Sequence, residues 1–174
     1  MNPAVRLAAH YMLRNPLPNT SGSFRGSILL VCSTSGYFGS TSVASYVSSK
    51  HGITGLLRAS RTPLLGKYRI RINSVAPFTT PTHITSGFSE EWIKEGLDVN
   101  TTEDVAWAIV HMANDERMHG KCAMVVGGQM REVEGPIENS MGGWVGDEAL
   151  EVFKKGWEFI QKRGGYRLPG EMRI

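Results

Sequence analysis

Hydrophobic positions along this chain fall into two rhythms, one helical and one strand-like. Val5, Ala8, Ala9, Met12 and Leu13 recur at helical spacing and predict an amphipathic helix over Asn2 to Arg14. Asn2 is its available cap, with Pro3 at the first helical position. Asn15 to Gly26, rich in Pro, Gly, Ser, Thr and Asn, reads as a loop. Ser27-Ile28-Leu29-Leu30-Val31-Cys32 is continuously apolar, as a parallel strand buried on both faces is. A second helix, with Ser45 as its candidate cap, runs through Ile53, Leu56, Leu57 and Ser60. Pro63 is expected to end or kink it, because proline lacks the N–H that would bond back to Ala59, and Gly66 leads out. Ile70 to Val75 is a second strand.

Pro77 to Thr102 is a long connection rich in Thr, Ser, Gly and Pro, with a short helix expected at Ser89 to Glu95. A connection of this length after a strand reads as a substrate lid, about 77–102. Thr101-Thr102-Glu103-Asp104 starts a helix with acidic residues in its first turn, and Val105, Ile109, Met112 and Ala113 form its apolar face. Lys121 to Val126 predicts a third strand, and Gly127 to Gly146 an irregular glycine-rich stretch. Asp147 to Lys162 predicts a last helix that buries Leu150, Phe153, Trp157 and Ile160. This alternation of helices and strands predicts an α/β fold with a parallel sheet of about three strands and flanking helices, in one domain over 1–174.

Composition narrows the classes. The chain has 174 residues, 41% hydrophobic and 20% charged, ordinary for a soluble globular protein. Nineteen basic against sixteen acidic residues leave a net charge of +3, too balanced to indicate nucleic acid. The densest basic cluster, Arg58, Arg61, Lys67, Arg69 and Arg71, reads as a solvated surface. Cys32 and Cys122 lie in apolar runs and read as small buried hydrophobes. No apolar stretch approaches a membrane span and no signal-peptide pattern is present, so the expectation is a cytoplasmic protein without a membrane partner. Neither the cysteines nor the five histidines have ligand spacing, so no metal is expected; His83 reads as a lid residue and His111 as a helix-surface residue.

The candidate chemistry sits at Tyr46 and Lys50, four positions apart and so on one helix face. A phenol beside an ammonium is a proton-transfer device, since a nearby cation favours the ionised phenol. Ser33 ends the first strand, where ligands bind in open α/β sheets, and its hydroxyl can hydrogen-bond a carbonyl oxygen. A serine hydrolase is set aside, because Val31 and Ser35 occupy the places of the G-x-S-x-G glycines. Phe88, Trp92 and Met141 either line a substrate pocket or pack in core and lid.

Ser33 stands thirteen residues before the tyrosine of Tyr46-x-x-x-Lys50, and Asn73-x-Val75-x-Pro77 closes the next strand, with Thr82 five beyond the proline. In these features the chain resembles the short-chain dehydrogenase/reductase family, with a texture like that of fungal members. The resemblance runs from the first helix through the third strand and implies the later part of a Rossmann-like domain. It implies an oxidoreductase using NAD or NADP to interconvert a secondary alcohol and a ketone. Ser33 would polarise the substrate carbonyl. Tyr46 would be the general acid/base. Lys50 would lower the tyrosine's pKa and bind the nicotinamide ribose. Pro77, Thr80 and Thr82 would lie along the nicotinamide amide and pyrophosphate, while Phe78 departs from the glycine that often follows the proline. Ser35, Ser45 and Ser48 read as loop and helix-surface residues.

The family's opening unit, a strand with a glycine-rich turn and a helix, has no counterpart here. The asparagine of the family's catalytic set should fall upstream of Met1, and Asn2 has too little helix before it to replace it. The expectation is a partial domain, with Met1 an internal residue of a longer reading frame. Its first strand would then carry an unpaired apolar edge, poorly stable as a monomer and prone to homo-oligomerise. The alternative reading is a truncated, non-catalytic remnant or interaction module.

Overall fold

The computed structural model describes residues 2–17 and 24–165. The first helix, α1 (Pro3–Met12), is capped as expected, with the Asn2 side chain accepting from the Ala4 amide at 2.9 Å. Of the expected loop, residues 18–23 lie outside the described residues. Strand β1 (Gly26–Val31) follows, then a single 3-10 turn over Thr34–Gly36.

Helix α2 (Ala44–Tyr68) departs from expectation at both ends. Ser45 does not cap it. The chain enters through a turn in which Ser42 has φ 64°, and the helix begins after Val43 with no side-chain cap bond. Nor does Pro63 end it; the helix runs past Gly66 to Tyr68 and closes on Arg69 in the left-handed conformation, φ 57°. A proline inside a helix costs about 3 kcal/mol. Pro63 points to solvent, while Leu57, Ser60 and Leu64 form a buried stripe. Full burial of each leucine contributes roughly 1.5–3 kcal/mol, enough to offset the lost bond.

Strand β2 (Ile70–Pro77) is buried along nearly its whole length and pairs in parallel with β1 and with β3 (Cys122–Val126). Between β2 and β3 lie α3 (Ser86–Lys94), starting earlier than expected, and α4 (Thr102–Asn114). Thr101 and Asp104 close a capping box on α4, and their bonds hold the Asp104 carboxyl below its ordinary range. Helices α1 and α2 pack with Ile28, Ile70, Ile72 and Cys122 in one core, and α4 packs Ala108 and Met112 against Val75, Ala123 and Val125 in another. Helices thus cover both faces of the sheet.

A fourth strand, β4 (Gln129–Glu132), stands where an irregular stretch was expected. It pairs antiparallel with β3, giving the order β1-β2-β3-β4. Gly127 and Gly128 have φ of 56° and 73°, the positive values at both positions that a two-residue hairpin turn of the right twist demands. At the other side of the sheet, β1 pairs only with β2 among the described residues.

Contacts divide the chain into two compact units, Met1–Glu134 and Gly135–Ile174. The second holds most of α5 (Glu134–Asn139), with α6 (Met141–Val145) and α7 (Asp147–Lys162). The last helix is where it was expected but buries no residue; Phe153 and Trp157 stack on each other at 5.8 Å and stay about half exposed. Its companions, helices of six and five residues, are too short to cover a sixteen-residue stripe.

Two members of the basic cluster also depart from a solvated surface. Arg71 is buried, and its guanidinium donates to the Asp115 and Met118 carbonyls at 2.9 and 3.0 Å, just past the C-terminal end of α4. Arg58 pairs with Glu134. Both cysteines are free and buried, as expected.

Candidate active site

The parallel strands β1, β2 and β3 all end at one edge of the sheet, and Ser33, Pro77 and the Lys50 ammonium stand at that edge. Ser33 follows β1, is nearly buried, and caps the 3-10 turn: its Oγ accepts from the Ser35 amide at 3.1 Å. Its own hydroxyl hydrogen has no acceptor among the described residues.

Tyr46 and Lys50 lie one turn apart near the start of α2. The Lys50 ammonium sits 5.6 Å from the centre of the Tyr46 ring. Its Nζ also donates to the carbonyl of Val31, the last residue of β1, at 3.2 Å. No carboxylate pairs with Lys50 among the described residues, so two of its three N–H donors are open to a ligand. Tyr46 is 48% exposed.

What presses this helix onto the strand end is a set of small groups. Gly36 packs so tightly that a Cβ would fall 2.8 Å from the Lys50 carbonyl and 2.4 Å from Cys32 Sγ. Thr54 Oγ1 donates to the Gly36 carbonyl at 3.0 Å, and the Cys32 thiol donates to the Lys50 carbonyl at 3.4 Å.

Pro77 ends β2. Thr80 and Thr82 are not drawn toward Tyr46 and Lys50 by any bond; both are engaged in the turn that follows β2. Thr80 Oγ1 donates to the Phe78 carbonyl at 3.0 Å, and the Thr82 amide donates to Thr85 Oγ1 at 2.8 Å. In the segment after β2, Phe78, Trp92 and Phe88 pack edge-to-face, with centroids 5.5 and 6.4 Å apart for the successive pairs. His83 is exposed in this segment, and His111 stacks on Trp107 along α4.

A cleft of about 410 Å³ opens at the same edge of the sheet. One wall comes from the segment after Ser33: Thr34, Ser35, Phe38, Gly39 and Ser40. The other is Phe78, Met124 and Val126, from beyond β2 and from β3. Ser33, Tyr46, Lys50, Thr80 and Thr82 are not among its lining residues.

Two further groups organise this end of the unit and were missed in the sequence. Asn100, buried, donates to the Val125 carbonyl at 2.9 Å and accepts from the Gly128 amide at 3.1 Å, joining the segment before α4 to the β3–β4 hairpin. Glu134 is 1% exposed and accepts from Arg58 at 2.8 and 2.9 Å and from the Tyr37 hydroxyl at 2.8 Å. Burial pushes its carboxyl up, but the bonds from Arg58 and Tyr37 outweigh that and hold it below its ordinary range. Burial pushes the Tyr37 phenol up, and the Cys122 thiol up to about 11. Tyr37 directly follows the 3-10 turn, so this triad anchors the segment that carries Ser33. Partners 76 and 97 residues apart leave no local signal in the sequence.

Among the described residues no helix is long and apolar enough to cross a membrane, and no group of three His, Cys, Asp or Glu could hold a metal ion.

Comparison with known proteins places this geometry. A family model described as short chain dehydrogenase matches residues 5–92. Short-chain dehydrogenase reductase 4 of Arabidopsis thaliana is 32% identical over 137 residues, covering 71% of this chain and 46% of that protein. A solved chain from Agrobacterium tumefaciens with bound NADP is 25% identical with a TM-score of 0.59, covering 71% of this chain and 51% of that one. A 4-hydroxyisoleucine dehydrogenase complexed with NADH and succinate is 26% identical with a TM-score of 0.57 and the same coverage. The chain spans about half the length of the curated relatives it matches.

Proposed function

Because this chain belongs to the short-chain dehydrogenase/reductase family, we propose that it supplies the proton-transfer side of an NAD- or NADP-dependent interconversion of a secondary alcohol and a ketone. The observation that carries this reading is the placement of Lys50 between the Val31 carbonyl and the Tyr46 ring at the C-terminal end of the parallel strands.

Nicotinamide dinucleotide, when bound, supplies the hydride acceptor or donor. The residues present fit its nicotinamide-ribose end. Lys50 has unpaired N–H donors for ribose hydroxyls, and Pro77, Thr80 and Thr82 stand at the mouth of the lid for the amide and pyrophosphate. In the reducing direction Ser33 donates its free hydroxyl hydrogen to the substrate carbonyl oxygen, and Tyr46 delivers a proton to that oxygen. In the oxidising direction the same phenol oxygen receives the alcohol's proton. Lys50 holds its charge within reach of both the tyrosine and the ribose. Reading residues 1–174 as one partial domain with a lid at about 77–102 belongs to the same proposal.

A second reading is a non-catalytic member of the family. The 174-residue chain titrated with NADH and with NADPH separates the two. Saturable binding and turnover are expected, with Tyr46→Phe lowering turnover at least ~100-fold while cofactor affinity is kept. A folded chain that binds neither cofactor establishes the second reading, and full activity in Tyr46→Phe removes the tyrosine from the mechanism.

A further inference from the structure

The cleft has an asymmetric chemistry. Thr34, Ser35 and Ser40 give one wall its hydroxyls, while Phe78, Met124 and Val126 make the facing wall wholly apolar. No ionisable side chain is among the described residues lining it. Phe38, a large apolar side chain at the cleft, is 61% exposed.

These features exclude substrate classes in turn. A carboxylate or phosphate placed here would find no cation among the described lining residues to receive it. A polyhydroxylated sugar would turn hydroxyls toward Phe78, Met124 and Val126, none of whose side chains offers a strong hydrogen-bond partner. A compact hydrocarbon skeleton with one or two polar groups on one side satisfies both walls, and 410 Å³ lies within the usual range of small-molecule clefts.

We propose that this cleft binds the substrate's carbon skeleton, and that the substrate is an uncharged, mostly apolar alcohol or ketone of cyclic or similarly compact shape, oriented by the hydroxyls of Thr34, Ser35 and Ser40. This rests on the oxidoreductase reading above and names its substrate class. Gly39 lines the cleft and offers a place to narrow it. A Cβ there would meet nothing within 4 Å, and the residue does not hold a positive φ, so a larger side chain fills space without straining the fold.

The test is direct binding, independent of turnover. Saturation-transfer NMR and calorimetry on the 174-residue chain compare 2-decalone with decalin-2-carboxylate, a neutral and an anionic probe on the same bicyclic skeleton. Decalone is expected to bind at least ~10-fold more tightly, and Gly39→Leu to weaken it by a similar factor. Val126→Lys, at a partly exposed position, places a cation beside the cleft and should raise carboxylate affinity. Equal or tighter binding of the carboxylate by the unmodified chain overturns the proposal. So does absence of saturable decalone binding, or a decalone affinity unmoved in a Gly39→Leu chain with native circular dichroism. Decalone binding together with an active Tyr46→Phe chain sinks only the catalytic reading. Tyr46-dependent turnover without decalone binding sinks only this inference.

Discussion

Replacing Arg58 with alanine tests the electrostatics of the first unit most sharply. The substitution removes two N–H donors, at 2.8 and 2.9 Å, from a carboxylate that is 1% exposed. Glu134 keeps the Tyr37 hydroxyl and the more distant charge of Arg61. Breaking a buried ion pair by deleting one partner costs about 3–5 kcal/mol. The Arg58 side chain is 43% exposed, so solvent already screens part of the interaction, and about 2–3 kcal/mol is expected at pH 7. The pH dependence carries a sign. In the native chain the Glu134 carboxyl lies below its ordinary value, so its contribution is full above pH ~4.3 and is lost as pH falls through the lower folded value. Without Arg58, burial dominates and the folded value rises above the ordinary one. The variant's penalty is then full at pH 7 and is relieved as pH falls and Glu134 takes up a proton. Urea unfolding followed at 222 nm between pH 5 and 8 should show the gap between the two proteins narrowing toward pH 5. Arg58→Ala/Glu134→Gln should recover at least ~1 kcal/mol at pH 7, because the orphaned charge is gone. A loss below ~0.5 kcal/mol, the size of an ordinary surface substitution, would refute this account. So would a gap that stays constant or widens in acid.

Two further outcomes are expected. Gly36→Ala should lower stability by about 1–3 kcal/mol in thermal melts, since its Cβ would meet the Lys50 carbonyl at 2.8 Å; Gly52→Ala, with nothing within 4 Å, should not destabilise. His119 accepts from the Ile72 amide at 3.3 Å and donates Nε2–H to the Arg61 carbonyl at 2.8 Å, and burial lowers its pKa, so the unfolded chain takes up its proton first. Stability should therefore decline as pH falls below ~6.5, and His119→Gln should flatten that slope in urea titrations; an unchanged slope would exclude His119 as its source.

Legibility in this chain followed the range of the interaction. A continuous apolar run marked β1, apolar-rich segments marked β2 and β3, and the Thr101–Asp104 spacing marked the start of α4, because each depends on neighbours in sequence. The hairpin at Gly127 and Gly128 was readable too, since adjacent glycines suit positive φ at both turn positions. Pro63 misled because local propensity was outweighed by the burial of Leu57 and Leu64. Tyr46 and Lys50 could be paired in the sequence because a helical turn links them, and Ser33 placed at a strand end because an apolar run precedes it. Glu134 and Asn100 were not, because their partners come together only in the folded chain.

Cys32 gives the fold its own reporter. Its thiol is buried beneath the Lys50 carbonyl, next to the turn that holds Ser33. A thiol reagent reaches it only when the front of α2 lifts from the end of β1, so its rate of modification measures how often that junction breathes. The element that opens is the one that carries Tyr46 and Lys50. A ligand that clamps those side chains down would therefore register as a slower-reacting cysteine, even where no turnover can be followed.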